Sequence, residues 1–110
     1  MKKAFPKVSI LIANYNNGKY ITDCISSVIS QDYLNKEIIV IDDRSTDNSI
    51  KILKKFGNKI TILTNNKKRK SGFINQMNVY NLGVKYSRGE LIFFLDSDDF
   101  FEKKKNNVYC

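Results

Sequence analysis

The chain alternates between short, strongly apolar runs and longer polar stretches, and the apolar runs have the length of β-strands. Each run holds four to six residues that are almost all apolar, and turn-forming or acidic residues follow most of them. Such runs are typical of strands buried on both faces of a sheet, because a half-exposed strand would alternate apolar with polar positions. We therefore predict four buried strands, at residues 8–13, 37–41, 60–63 and 91–95.

The stretches between these runs carry apolar residues three or four positions apart, which is the spacing of one face of a helix. This pattern predicts three helices, the first over residues 18–31. The apolar positions are Ile21, Cys24, Ile25, Val28 and Ile29 in the first helix, Ile50, Leu53 and Phe56 in the second, and Phe73, Met77, Tyr80 and Val84 in the third.

Polar residues and one glycine indicate where these helices begin and end. Asn16 or Asn17 can cap the first helix and Ser45 or Thr46 the second, because their side-chain oxygens accept hydrogen bonds from free N–H groups of a first turn. Gly57 follows the second helix, where a left-handed residue commonly ends a helix.

The predicted order β-α-β-α-β-α-β, with strands too apolar to be half exposed, indicates an α/β fold. It requires a mostly parallel, doubly wound sheet with helices on both faces. Right-handed crossovers leave few topologies, and the order 3-2-1-4 would reverse the chain direction between strands 1 and 4. Ligands bind at such a reversal, beyond the carboxyl ends of the strands. Here those ends carry Asn14 and Tyr15, Asp42 and Asp43, and the acidic segment 96–99.

The clearest chemical signal is the pair Asp96 and Asp98 after the fourth strand. Residues two apart in an extended segment point the same way, so the two carboxylates repel each other unless a cation lies beside them. Hard oxygen ligands suit Mg²⁺ or Mn²⁺, which also take phosphate oxygens from a substrate. The alternative is a loop of exposed acids. The position of Asp96 and Asp98 after a buried strand, at the chain reversal, favours the metal site over this alternative.

The other two strand ends offer less specific signals. One carboxylate of Asp42 and Asp43 can cap the turn that contains Ser45 and Thr46, and the other can accept hydrogen bonds from a ligand. The residues alone do not show which of the two aspartates has which role. Tyr15 can stack on a planar base, although a turn tyrosine is commonly a packing residue.

Composition excludes several classes of chemistry. The 110 residues contain no histidine, which rules out Ser-His-Asp and Cys-His catalysis and histidine metal ligands. The five glycines match neither a G-x-G-x-x-G motif nor a P-loop. No apolar run approaches the roughly 18 residues of a transmembrane helix. We expect a cytoplasmic protein, with a location at the inner face of the membrane left open.

The net charge of +8 comes from 19 Lys and Arg against 11 Asp and Glu. We interpret its two clusters, Lys67–Lys70 and Lys103–Lys105, as a solvated loop and tail. Nucleic-acid binding is an alternative, but the basic residues are not interleaved with aromatic residues as in known modules. We expect no specific nucleic-acid partner.

Three segments together resemble a known enzyme family. Residues 8–16 read VSILIANYN, residues 37–47 read EIIVIDDRSTD, and residues 88–99 read RGELIFFLDSDD. In this order, with helices between them, they are similar to the family 2 glycosyltransferases of the GT-A fold, which is Rossmann-like. The resemblance runs from Pro6 to about Phe101, nearly the whole chain.

The resemblance implies a role for each matching residue. Tyr15 would lie against the nucleobase, with Ala13 in the same nucleotide-binding segment, and Asp43 would bind the N–H edge of the base. Asp96 would lie near the ribose and the sugar, and Asp98 would coordinate Mn²⁺ or Mg²⁺ on the diphosphate. The donor would be a nucleotide sugar, most often a UDP-sugar, used in the synthesis of a cell-surface polysaccharide or glycoconjugate, with an acceptor that the sequence does not name.

The sequence departs from the family at two positions. The family commonly has a proline or small residue and Thr or Ser before its tyrosine, where this chain has Ala13 and Asn14, and an arginine where this chain has Tyr80. A basic residue for the phosphates would then have to come from Lys67–Lys70.

Family members also continue well beyond the D-x-D motif. We therefore interpret residues 1–110 as a single domain, the nucleotide-sugar-binding portion of such an enzyme in truncated form, with residues 102–110 as a flexible tail. The catalytic base is expected beyond the end of the chain, so we expect donor binding with little transfer. An apolar edge left uncovered would favour self-association.

A different class of protein, the phosphoacceptor receiver domain, also has an acidic pair and a later aspartate after parallel strands. Its acidic pair ends the first strand, however, whereas Asp42 and Asp43 end the second, and a receiver also needs a further strand and lysine after Asp99.

Overall fold

A computed structural model describes residues 5–66 and 72–98 of the chain, without the side chain of Phe73. Lys67–Lys70, Asp99 and the predicted tail at 102–110 lie outside the described residues. Within the described ranges, the elements are β1 (Val8–Asn14), α1 (Gly18–Ile29), β2 (Lys36–Asp42), α2 (Ser49–Lys54), a 3₁₀ turn (Gly57–Lys59), β3 (Thr61–Thr64), α3 (Gly72–Tyr86) and β4 (Leu91–Asp96). This order confirms the α/β prediction, and the strand bounds agree with it to within a residue or two.

The described strands form one sheet with the order β3-β2-β1-β4, and every neighbouring pair is parallel. This confirms the predicted order and the chain reversal between β1 and β4. Ala13 of β1 pairs with Ile41 of β2 on one side and with Asp96 of β4 on the other. The carboxyl ends of these three strands therefore lie level at one edge of the sheet.

Two apolar layers cover the central strands, as predicted for strands buried on both faces. Alternate residues of β1, such as Ile12, pack with α1 and α2, while Leu11 packs with α3 on the opposite face. Leu53 of α2 is fully buried, and Ile50 and Phe56 pack beside it, which confirms the predicted inner face of that helix. Burying this apolar surface is the main force that holds the layers together.

The prediction of burial on both faces is wrong for the third and fourth strands. No residue of β3 is fully buried, and its two threonines are exposed. Leu91 is 49% exposed and Phe94 is 53% exposed. Among the described residues β4 pairs only with β1, so it is an edge strand. α3 packs mainly on β1 and β2, and its Tyr80 ring contacts Phe94 of β4. An apolar run thus does not distinguish a central strand from an edge strand.

The third helix is present, but its buried face differs from the one that the apolar spacing indicates. Met77 and Val84 are exposed, whereas Asn75, Val79 and Gly83 are buried. The helix approaches the sheet through Gly83, because a Cβ at this position would lie only 2.8 Å from Ile41 Cδ1 and 3.0 Å from Leu11 Cδ1. α3 therefore packs on the sheet through the face that carries the small residue, because this face allows close contact.

Gly83→Val should destabilise the protein by about 1–3 kcal/mol, because its side chain overpacks a site lined by two fully buried side chains. Chemical denaturation of parent and variant measures this loss. The matched control is Lys85→Val, which places the same β-branched residue at an exposed position of α3. Equal stabilities of the two variants would contradict a close contact at Gly83.

The left-handed conformation predicted for Gly57 is confirmed, with φ of +59°. It turns the chain from the end of α2 into the 3₁₀ turn before β3. Among the residues that the structure describes, none of the helices has the length and apolar character needed to span a bilayer.

Candidate functional site

A cavity of about 340 Å³ opens at the carboxyl edge of the sheet, between the ends of β1, β2 and β4. All five residues proposed from the sequence for nucleotide and metal binding line it. They come from three separate segments: Ala13 and Tyr15 at the end of β1, Asp43 after β2, and Asp96 and Asp98 at the end of β4. Asn14, Asn17, Asn75, Gln76 and Val79 complete the lining.

The structure separates the roles of Asp42 and Asp43, which the residues alone left open and for which the resemblance implied Asp42 in the turn and Asp43 at the ligand. Asp42 is buried and holds the turn: its Oδ2 accepts from the Ser45 N–H at 2.9 Å, and its Oδ1 accepts from the Ser45 hydroxyl at 2.7 Å. The Asn14 amide nitrogen donates to the same Oδ1 at 2.8 Å. Asp43, the next residue, lines the cavity instead.

Two asparagines hold the Asp43 carboxylate, which is only 4% exposed. Asn65 Nδ2, just after β3, donates to Oδ1 at 3.1 Å, and Asn75 Nδ2, in α3, donates to Oδ2 at 2.5 Å. Arg44 Nε lies 4.0 Å from Oδ1. A buried carboxylate needs such partners to remain charged. Sequence reasoning missed both asparagines. The position of Asn65 after a strand was a usable signal, but Asn75 offered none.

The loops after β1 and β2 are joined to each other by side-chain hydrogen bonds. Asn16 has a positive φ of 52°, and its Oδ1 accepts from the backbone N–H groups of Thr46 at 2.7 Å and Asp47 at 3.1 Å. The Asn17 amide donates to the Ser97 hydroxyl at 2.7 Å, which links the β1 loop to the segment after β4. These bonds fix the three cavity walls relative to one another.

Asn17 occupies the N-cap position of α1, as predicted, but its side chain makes no cap hydrogen bond and holds the loop instead. The prediction of a cap at Ser45 or Thr46 is wrong, because Asn48 precedes α2. Asp47 serves the helices instead: its Oδ2 accepts from the Gly18 N–H at 2.9 Å, and its Oδ1 accepts from the Ser49 N–H at 2.9 Å. Gly18 and Ser49 are the first residues of α1 and α2. One carboxylate thus caps two helices.

Burial raises the pKa of Asp47, but hydrogen bonds from the Ser49 hydroxyl and from the Gly18 and Ser49 N–H groups outweigh it, so the pKa lies below its usual value. A depressed pKa in the folded state adds stability that is present above the unfolded pKa and is lost as the pH falls through the folded pKa.

Asp47→Ala should therefore lower stability at pH 7 by about 1 kcal/mol, the typical effect of a lost cap. The difference from the parent should shrink as the pH falls below about 4, the pKa of an unfolded aspartate. Thermal unfolding at several pH values measures this. Asp23→Ala, at an exposed site on α1, is the control; an Asp47 effect that grows toward low pH would contradict the assignment.

Tyr15 and Asp96 lie at more open parts of the cavity. Tyr15 is 45% exposed, so one part of its ring remains accessible to a ligand. Asp96 Oδ1 accepts a hydrogen bond from the Tyr80 hydroxyl at 3.1 Å, and the Tyr80 ring meets Phe94 edge-on with centroids 4.6 Å apart. Tyr80, which stands where the resembling family commonly has arginine, therefore donates through a hydroxyl to a carboxylate that lines the cavity.

The cavity contains carboxylates that could hold a divalent cation. Within residues 5–66 and 72–98, no group of three or more acidic, cysteine or histidine side chains could hold a metal ion. Asp96 and Asp98 nevertheless bring two carboxylates to the cavity. Mg²⁺ is usually held by one or two carboxylates together with substrate phosphates and water. The two aspartates therefore fit a cation that a diphosphate also coordinates.

The family model described as Glycosyl transferase family 2 matches residues 9–106. Over 100 residues the chain is 34% identical to the poly(ribitol-phosphate) beta-N-acetylglucosaminyltransferase TarS of Staphylococcus aureus, covering 89% of this chain and 17% of that protein. Over 99 residues it is 38% identical to the UDP-Glc:alpha-D-GlcNAc-diphosphoundecaprenol beta-1,3-glucosyltransferase WfgD of Escherichia coli, covering 89% of this chain and 37% of that protein.

A solved structure is similar over the same region. The crystal structure of S. aureus TarS 1–349 in complex with UDP-GlcNAc superposes with a TM-score of 0.74 at 33% identity, covering 92% of this chain and 29% of that chain. The chain thus spans less than two fifths of the length of each of these relatives.

Proposed function

Because the chain belongs to glycosyl transferase family 2, we propose that it binds a UDP-sugar with a divalent cation and takes part in transferring the sugar to an acceptor. The observation that carries this proposal is the convergence of Asp43, Asp96 and Asp98 in one cavity at the chain reversal of the sheet. These carboxylates come from the ends of two strands. A nucleoside diphosphate offers a base N–H to Asp43, and hydroxyl groups and a metal-bound diphosphate to Asp96 and Asp98.

The base would bind at the inner end of the cavity. Asp43 accepts the ring N–H of uracil, and its two asparagine partners keep the carboxylate in place. Tyr15, which is partly exposed, would stack on the face of the base, and Ala13 lines the cavity with it. The solved structure of a relative with UDP-GlcNAc supports uracil as the base.

The diphosphate would lie at the β4 side of the cavity. Asp98, with Asp96, would hold Mn²⁺ or Mg²⁺, which supplies positive charge for the departing nucleoside diphosphate. Asp96 would in addition accept a hydrogen bond from a hydroxyl of the ribose or the sugar, and the Tyr80 hydroxyl, which donates to its Oδ1, would orient it.

The acceptor class is proposed from the relatives. Their names specify poly(ribitol-phosphate) and a diphosphoundecaprenol-linked sugar, both carbohydrate acceptors on a polymer or a lipid. We therefore propose an acceptor in the synthesis of a cell-surface polysaccharide or glycoconjugate, reached from the cytoplasm at the inner face of the membrane.

Calorimetric titration with UDP, GDP and CDP, each with and without Mn²⁺, tests the proposal. We expect UDP to bind most tightly and Mn²⁺ to increase its affinity. If none of the three nucleotides binds, either with or without Mn²⁺, the proposed function is contradicted.

A further inference from the structure

Asn75 is a buried asparagine of α3 whose side chain lies beside the Asp43 carboxylate in the cavity wall. It is 5% exposed, and its Nδ2 donates one hydrogen bond to Asp43 Oδ2 at 2.5 Å. A primary amide nitrogen carries two N–H groups. The second N–H therefore leaves the same nitrogen that contacts Asp43, and it lies close to the carboxylate.

The orientation of this amide is determined by its neighbour. If the amide were reversed, its oxygen would face the carboxylate oxygen, and two acceptors would repel each other. The nitrogen must therefore face Asp43, which leaves Asn75 Oδ1 without a hydrogen-bond partner among the described residues. A buried amide that the described protein satisfies only in part is unusual, because an unpaired buried polar atom is costly.

We propose that Asn75 is a specificity-determining residue that reads the base of the nucleotide together with Asp43. Asp43 accepts the ring N–H, and the second N–H of Asn75 Nδ2 donates to the carbonyl oxygen next to it. The two side chains thus recognise an N–H beside a C=O, the lactam edge of a base. This inference rests on the proposed function, because it places the base at Asp43.

The lactam edge divides the common bases into two groups. Uracil presents it on both sides of N3, and guanine presents it at N1 and O6. Cytosine and adenine instead present a ring nitrogen lone pair, which would face the Asp43 carboxylate and repel it. A site with buried hydrogen-bonding groups discriminates strongly against a ligand that leaves those groups unpaired.

The test measures binding of UDP, 2-thio-UDP, 4-thio-UDP, GDP and CDP to the parent chain and to the Asn75→Leu variant. Leu has a similar volume and no hydrogen-bonding group, and sulfur is a weaker acceptor than oxygen. We expect one sulfur analogue to bind the parent about 5- to 30-fold more weakly than UDP, as for a lost hydrogen bond in a buried site. In Asn75→Leu, UDP should weaken by a similar factor and the difference between UDP and that analogue should vanish.

Asn78→Leu, on the same helix and outside the cavity lining, is the matched control and should bind UDP like the parent. If Asn75 acted only by positioning Asp43, the analogue would keep its full penalty in Asn75→Leu, and the proposal would be overturned. Because Asn75→Leu can also lose its fold, the parent provides an independent test. Equal binding of UDP and both sulfur analogues by the parent would overturn the proposal without any variant.

The remaining nucleotides separate this inference from the proposed function. CDP binding as tightly as UDP would overturn the reading by Asn75 and the contact of Asp43 with the base N–H, while the binding of a nucleoside diphosphate at this cavity would stand. GDP binding in place of UDP, lost in Asn75→Leu, would support the lactam reading and contradict the choice of uracil. The absence of all nucleotide binding would overturn both.

Discussion

Asp98→Asn is expected to remove the Mn²⁺-dependent part of UDP binding. The substitution keeps the size of the side chain but replaces a charged oxygen ligand by a neutral amide, a poorer partner for a hard cation. Asp98 is exposed, so the fold should not change. We expect Mn²⁺ to tighten UDP binding by the parent, and the ratio of affinities with and without Mn²⁺ to fall to about 1 in the variant.

The measurement is calorimetric titration of UDP with and without Mn²⁺, with circular dichroism to confirm that the variant is folded. Asp23→Asn removes the same charge from an exposed position of α1, outside the cavity lining, and should bind like the parent. A variant at Asp98 that retains the full Mn²⁺ effect would refute the metal assignment.

Asp43→Ala is expected to weaken UDP by about 1–3 kcal/mol, the range for a hydrogen bond to a charged group. The carboxylate is the acceptor proposed for the base N–H, and it also holds the amides of Asn65 and Asn75. Its loss removes the base contact and the partner that orients Asn75. The effect should appear both with and without Mn²⁺, because the base lies apart from the metal.

Asp43→Asn provides the second variant at this position, since it keeps the volume of the side chain and one acceptor oxygen.

Tyr15→Ala should lose a stacking contribution of roughly 1–3 kcal/mol, whereas Tyr15→Phe should retain it. Tyr20→Ala, at an exposed position of α1, is the control for removing a surface tyrosine. If Asp43→Ala and Tyr15→Ala both bind UDP like the parent, the base pocket lies elsewhere.

The apolar pattern predicted most of the fold because parallel sheets leave few alternatives. Strands buried on both faces need helices on both sides and right-handed crossovers, so the order of elements led to β3-β2-β1-β4. The pattern could not show that β4 is an edge strand, because Phe94 contributes to an apolar run in the sequence whether it is buried or exposed in the fold. It also indicated the wrong face of α3, since only contact with Leu11 and Ile41 shows why Gly83 faces the sheet.

The candidate site was likewise predicted only in part from the sequence. Sequence reasoning proposed Ala13, Tyr15, Asp43, Asp96 and Asp98, and the structure brings all five to one cavity because each follows a strand whose end the topology places there. The residues alone could not choose between Asp42 and Asp43, and only the family resemblance named Asp43; in the structure the hydrogen bonds of Asn14 and Ser45 assign Asp42 to the turn.

By itself, the sequence determined which elements form, their order, and which acidic residues stand at the strand ends, because these depend on local periodicity and on the rules of parallel sheets. Only the tertiary structure decided which side chains support those acids. Asp47 caps α1 from 29 residues away, and Asn75 reaches Asp43 across 32 residues. Such contacts join positions that no local pattern connects, so they exist only once the sheet has brought their segments together.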